Sequence, residues 1–138
     1  MIIMLLLTGL AAMGCSDRQR PGDLPKLYPC ELTITQEGTP LSGANVTLFP
    51  AEETNAKYQA SSITNSEGKA TLKTYGFDGI PAGKYKVCVR KVIGEENAEY
   101  QTVERQYSDS DKTPHEIEII GGKTFQTSLD VGKAVKSR

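Results

Sequence analysis

Tryptophan is absent and histidine occurs once, at His115. A lone imidazole cannot supply the several ring nitrogens that most zinc and copper sites use, and it removes most acid–base schemes at the outset. Cysteine is scarce. Cys15, Cys30 and Cys88 are the only 3, too few for the disulfide framework of a core-poor secreted domain. No charge of one sign dominates: 16 Lys and Arg stand against 17 Asp and Glu, a formal net charge of -1. No overall field therefore selects nucleic acid or an anionic membrane. No segment keeps a helical period, and no apolar run reaches the roughly 20 residues that a bilayer-spanning helix needs.

A shorter apolar run opens the chain. "MIIMLLLTGLAAM", from Met1 to Met13, has no charge; Gly14 and Cys15 follow, then Ser16, Asp17, Arg18 and Arg20. An apolar run of roughly 7–15 residues ending in small residues is the pattern of a secretory signal. "AMGC" resembles the bacterial lipobox, in which the cysteine thiol is diacylated and the chain is cut before it. Two features depart from that pattern: Ala12 stands where Leu is usual, and no Lys or Arg precedes the run. The competing reading is a buried first strand with a core cysteine, which the lack of alternation opposes. The expectation is a signal peptide over 1–14, a lipidated Cys15 that holds the membrane, and export to the periplasmic side of either membrane or to the cell surface. Residues 15–29, with Pro21, Gly22, Pro25 and Pro29, read as a semi-extended tether.

From Cys30 the period becomes two. "ELTIT" places Leu32 and Ile34 on one side, "NVTLFP" places Val46 and Leu48 inside, and "KATLKTY" places Ala70 and Leu72 inside. "YQASSIT" is a weaker strand. "NSEG" reads as a tight turn with Asn65 capping and Gly68 supplying positive φ. "KYKVCVRKV" turns Tyr85, Val87 and Val89 one way and Lys84, Lys86, Cys88 and Arg90 the other. "GEENAEYQTVERQ" fits either a short helix or a strand. "HEIEII" and "TFQTSLDV" flank Gly121-Gly122, which suits a short hairpin. About seven short strands with turns between them predict an all-β sandwich over 30–132, followed by a C-terminal tail at 133–138.

Three stretches carry a family likeness. Gly38-Thr39-Pro40-Leu41-Ser42-Gly43-Ala44-Asn45-Val46, Thr64-Asn65-Ser66-Glu67-Gly68 and Gly83-Lys84-Tyr85-Lys86-Val87 resemble the corner, turn and strand of the carboxypeptidase regulatory-like, or transthyretin-like, domain. The resemblance covers roughly Tyr28 to Val131. It implies a seven-stranded Greek-key sandwich and little about activity, because function lives in sites rather than folds. Family hydrolases of hydroxyisourate use a His/Arg site and a C-terminal Tyr-Arg-Gly-Ser, whereas this chain ends "GKAVKSR". Adhesin relatives link a Lys of the first strand to an Asn of the last; "CELTIT" has no Lys and "TFQTSLDV" no Asn.

Several residues are candidate sites. Cys30 and Cys88 are a possible disulfide in an oxidising compartment, although alternation turns them to opposite faces. His115 and Cys30 both precede or open strands that are neighbours in the resembled fold and are weighed as a nucleophile pair, with no oxyanion site in view. Lys84, Lys86 and Arg90 form a basic stripe, read either as a surface for an anionic ligand or as a solvated face neutralised by the acidic stretch that follows. No aromatic residues interleave it as a nucleic-acid platform requires. Tyr58, Tyr75, Tyr100 and Tyr107 are read as seals on the ends of the sandwich or as sugar-stacking rings. Ser108 to Asp111 reads as a capped turn rather than a Ca²⁺ loop. Asn45-Val46-Thr47 is formally a glycosylation sequon but lies in an expected strand. No metal or cofactor is expected.

The resulting expectation is a lipid-anchored envelope module with a structural or protein-binding role and no catalysis of its own. A module that binds carbohydrate or peptidoglycan, and a small hydrolase, are the alternatives. The expected partners are the membrane, through Cys15, and envelope proteins or polysaccharide.

Overall fold

Alternating side chains decide the strands. The computed structural model describes residues 24–51, 58–95 and 98–137; the expected signal peptide, Cys15 and the first part of the tether lie outside them. β1 (Cys30–Gln36) buries Cys30, Leu32 and Ile34. A tight turn at Glu37-Gly38 leads to the two-residue β2 (Thr39–Pro40). β3 (Asn45–Pro50) buries Val46 and Leu48, and β4 (Ala60–Ile63) buries Ala60. β5 (Lys69–Thr71) and β6 (Lys73–Thr74) are one extended stretch interrupted at Leu72, and β7 (Phe77–Asp78) folds back on β6. β8 (Gly83–Arg90) buries Tyr85, Val87 and Val89 completely. Each buried Leu, Ile or Val contributes about 1.5–3 kcal/mol over the exposed state, enough to fix the register of its strand.

Beyond β8, the stretch whose structure the sequence leaves open is a protruding hairpin, β9 (Val92–Glu95) against β10 (Ala98–Gln101), followed by one 3-10 turn at Arg105–Ser108. β11 (Glu116–Ile119) and β12 (Phe125–Asp130) complete the fold.

Two sheets face each other. In the smaller, β1 lies between β12, which runs parallel to it, and an edge shared by β5 and β2. The larger runs β11-β8-β3-β4-β6-β7. Here β8 returns to lie beside β3, after β3, β4 and β6 have paired in succession, which is the Greek-key step. The 69–74 stretch crosses between sheets at Leu72, whose N–H donates to the Cys30 carbonyl at 3.0 Å. Leu32, Ile34, Val46, Leu48, Leu72, Tyr85, Val87, Val89 and Ile117 meet in one core between the sheets. The all-β sandwich expected from alternation is the observed fold.

Three expectations are corrected. The Gly121-Gly122 segment does not close a hairpin: β11 pairs β8 in the larger sheet, whereas β12 pairs β1 in the smaller. The turn carries the chain from one sheet to the other. Local alternation and glycine spacing are the same for an arch as for a hairpin, so the sequence does not separate them. The ordered body also begins before residue 30. Leu24 is buried, and Tyr28 and Ile80 exchange backbone hydrogen bonds at 2.8 and 2.9 Å. Nor is the C-terminal tail free: Gln101 and Ser137 bridge, and the Val135 N–H donates to the Thr102 carbonyl at 3.0 Å.

Candidate functional site

The outer face of the larger sheet is where the chemistry-bearing residues converge. Because Val46 and Leu48 point inward, Asn45, Thr47 and Phe49 of β3 point outward. Register places Asn45 opposite Arg90 and Thr47 opposite Cys88, and sets Ser61 of β4 on the far side of Thr47. The 3-10 turn lies against β8 and adds Ser108 as a wall. Together these residues line a concave depression of about 420 Å³, within the usual range for small-ligand sites.

The basic stripe is not uniform. The Lys86 ammonium lies 2.9 Å from the Glu116 carboxylate. Lys86, by hydrogen bond and by charge, holds Glu116 below the ordinary carboxylate range, with a further pull from Lys84. Lys84 itself faces Glu118 across the β8–β11 ladder. Arg90, at the far end of β8, is exposed and lines the depression, and no ion pair to it forms among the described residues. Of the three residues expected to form an anion-binding surface, Lys86 is therefore already engaged and Lys84 sits beside an acid. Arg90 alone meets the concavity.

Cys30 and Cys88 are free thiols, so the possible disulfide does not form. Cys30 faces the core from β1. Cys88 lies on the outer side of β8, as alternation predicts, yet it is buried rather than exposed. The segment after β10 covers it: the Thr113 hydroxyl donates to the Val87 carbonyl at 2.7 Å and ties that segment down over β8. Burial pushes the Cys30 thiol up to about 12. Burial, and then the Asp109 carboxylate, push Cys88 up to about 11. Both thiols are held protonated, the opposite of what a nucleophile requires.

His115 is not beside Cys30. Its Nε2 makes a 2.7 Å hydrogen bond with the Asp130 carbonyl, at the end of β12, while Cys30 pairs with Phe125 at the start of that strand. Five strand residues separate the two positions, about 16 Å. Tyr107 stacks on the imidazole, with ring centroids 5.6 Å apart. Tyr107 and Tyr28 pack against the core as seals, and Tyr58 is buried edge-on to the exposed Tyr75. The Asp109 side chain caps its own turn, accepting from the Asp111 N–H at 2.8 Å. Among the described residues no group of three or more His, Cys, Asp or Glu side chains is placed to hold a metal.

The outward residues of β3 and β4 are the part of the site that sequence reasoning missed. Asn45, Thr47 and Ser61 show as polar positions on alternating strands. Nothing in the sequence says which strands lie side by side or what overhangs them.

No family model and no curated protein matches this chain. Among solved structures, the chain is similar to BcpA, the major pilin subunit of Bacillus cereus, at 15% identity and a TM-score of 0.49, over 79% of this chain and 31% of that one. It is also similar to chlorocatechol 1,2-dioxygenase from Pseudomonas putida, at 16% identity and a TM-score of 0.36, over 84% of this chain and 62% of that one. This chain therefore spans less than two thirds of the length of either. The fold assignment rests on the strand pairings above.

Proposed function

We propose that this protein is a lipid-anchored β-sandwich module of the cell envelope, related to the transthyretin-like domains, that holds a protein partner and catalyses nothing itself. The lipobox-like "AMGC" supports attachment through Cys15. Two or more acyl chains on that residue would anchor the body stably.

The observation that carries the reading is the polarity of the body. The tether enters where Tyr28 pairs with Ile80, and Gly121 lies against the Tyr28 ring. β8 begins beside that end, since Gly83 pairs with Ile119, and runs away from it to Arg90. Seven residue steps of strand put Arg90 about 23 Å further out. The end of the outer face that carries Asn45, Ile63 and Arg90, and the β9–β10 hairpin after it, therefore lie far from where the tether enters. Exposed Ile63 and Val92 add apolar contact area there. The raised thiol pKa values and the separation of His115 from Cys30 speak against the hydrolase alternative.

Photo-cross-linking in intact cells tests the reading, with the probe placed at Ile63 in one strain and at Ser128, on the opposite sheet, in another. A discrete protein adduct at Ile63 and none at Ser128 is expected. Equal, diffuse labelling at both positions would count against a partner on this face.

A further inference from the structure

The depression over β3, β4 and β8 has a chemistry of its own, separate from the protein-holding role above. Its floor and wall are a primary amide, three hydroxyls, a thiol, one aromatic ring and one guanidinium: Asn45, Thr47, Ser61, Ser108, Cys88, Phe49 and Arg90. Amide and hydroxyl groups both donate and accept, which suits a ligand covered with hydroxyls. The Phe49 ring offers an apolar face. Among the described residues Arg90 is the one cation at this floor. A guanidinium matches a carboxylate in a forked pair.

Two further depressions adjoin the first. Arg90 also lines one of about 170 Å³ with Tyr100 and Gln101. Ser108 and Gln101 line another of about 540 Å³, with Arg105, Lys112 and Asp109. The Gln101 side-chain oxygen is buried with no partner among the described residues. The three meet at Arg90, Ser108 and Gln101, and as one track they would be longer than a single ring.

We propose that this track binds a carboxylate-bearing oligosaccharide, with Arg90 gripping one uronate carboxylate, Phe49 against the ring face, and Asn45, Thr47, Ser61 and Ser108 on the hydroxyls. Asp109 accepts hydroxyl hydrogens at the wall.

The full chain is titrated with tetragalacturonate while its amide resonances are followed, with a neutral galactose tetramer in parallel. Shifts confined to residues that line the three depressions, Phe49, Cys88, Arg90, Gln101 and Ser108 among them, are expected with the acidic probe, and the neutral probe should bind at least about tenfold more weakly. Arg90→Gln should weaken the acidic probe by about tenfold or more, whereas Lys123→Gln, the same charge change on an exposed residue outside the track, should leave it within about twofold. The thermal midpoint of each variant reports that it is folded. The proposal is overturned if the acidic probe causes no shifts, if both sugars bind alike, or if the two variants lose affinity equally. Binding of an acidic peptide through Arg90 in place of the sugar would overturn it too. None of these outcomes touches the cross-linking result at Ile63, so the two readings fail separately.

Discussion

The Thr64 hydroxyl donates to the Leu41 carbonyl at 2.6 Å. The same oxygen accepts the Ala44 N–H at 2.9 Å, and the Thr64 backbone bonds Gly43 and Ala44 on either side. Thr64 is buried. One side chain thus joins the corner after β2 to the turn before β5, two loops that are adjacent only in the fold.

Thr64→Val removes the hydroxyl and leaves a buried carbonyl and a buried N–H unpaired. The expected loss is about 2–6 kcal/mol in a denaturant titration, since each of the two orphaned groups costs of the order of 1–3 kcal/mol. Thr64→Ser keeps both bonds and sheds one methyl group, for about 1 kcal/mol. Equal losses would mean that the hydrogen bonds are not what matters.

Gly68 and Gly122 both hold positive φ, 76° and 82°. A Cβ on Gly68 would stand 2.6 Å from the Ile34 carbonyl oxygen, while one on Gly122 would meet nothing within 4 Å. Gly122→Ala should therefore cost about 1–2 kcal/mol, the left-handed backbone penalty alone. Gly68→Ala should cost clearly more, because backbone must move. Thermal midpoints of the two variants compare them directly.

Asp130 predicts an acid-side effect. Its carboxylate accepts from the Thr35 hydroxyl at 2.7 Å, from the Gly38 N–H at 2.9 Å and from the Gly132 N–H at 2.8 Å. These bonds, that from Thr35 foremost, hold it below the ordinary aspartate range. A carboxyl whose pKa falls on folding stabilises the native state above its unfolded pKa, about 4, and that share is lost as pH falls through the lower folded value. Denaturation midpoints measured from pH 6 downward should fall less steeply for Asp130→Asn than for the parent. Parallel curves would show that Asp130 contributes nothing to the acid limb.

Alkylation should report the two thiols as silent. With pKa values of about 12 and about 11, Cys30 and Cys88 hold little thiolate at pH 8 and are buried besides. Iodoacetamide should leave both unmodified in the native protein and modify both in denaturant. Rapid native labelling of Cys88 would mean that the segment over β8 opens.

Much of this architecture is legible in the sequence because alternation is a local property. Leu32, Ile34, Val46, Leu48, Tyr85, Val87 and Val89 were bound to face inward once their strands formed, and Asn65 does cap its turn, accepting from the Glu67 and Lys69 N–H groups at 2.9 and 3.0 Å. What escaped depends on pairing between distant strands. The arch at Gly121, the Glu116 that neutralises Lys86, and the cover over Cys88 all come from neighbours 20 or more residues away in the chain or from a switch of sheet. Alternation placed the thiols on opposite faces, but it carried no information about what lies on top of each face. The polar ring around Arg90 escaped for the same reason.

The central claim is that a folded sheet body is held to a membrane through Cys15. The intact mass of the protein extracted by detergent from its native cells tests this most directly. The account predicts a chain that starts at Cys15 and is heavier than its amino acids by a diacylglyceryl group, with or without a further acyl chain on the amino terminus. A chain that still carries Met1 to Gly14, with Cys15 as an unmodified thiol, would contradict it.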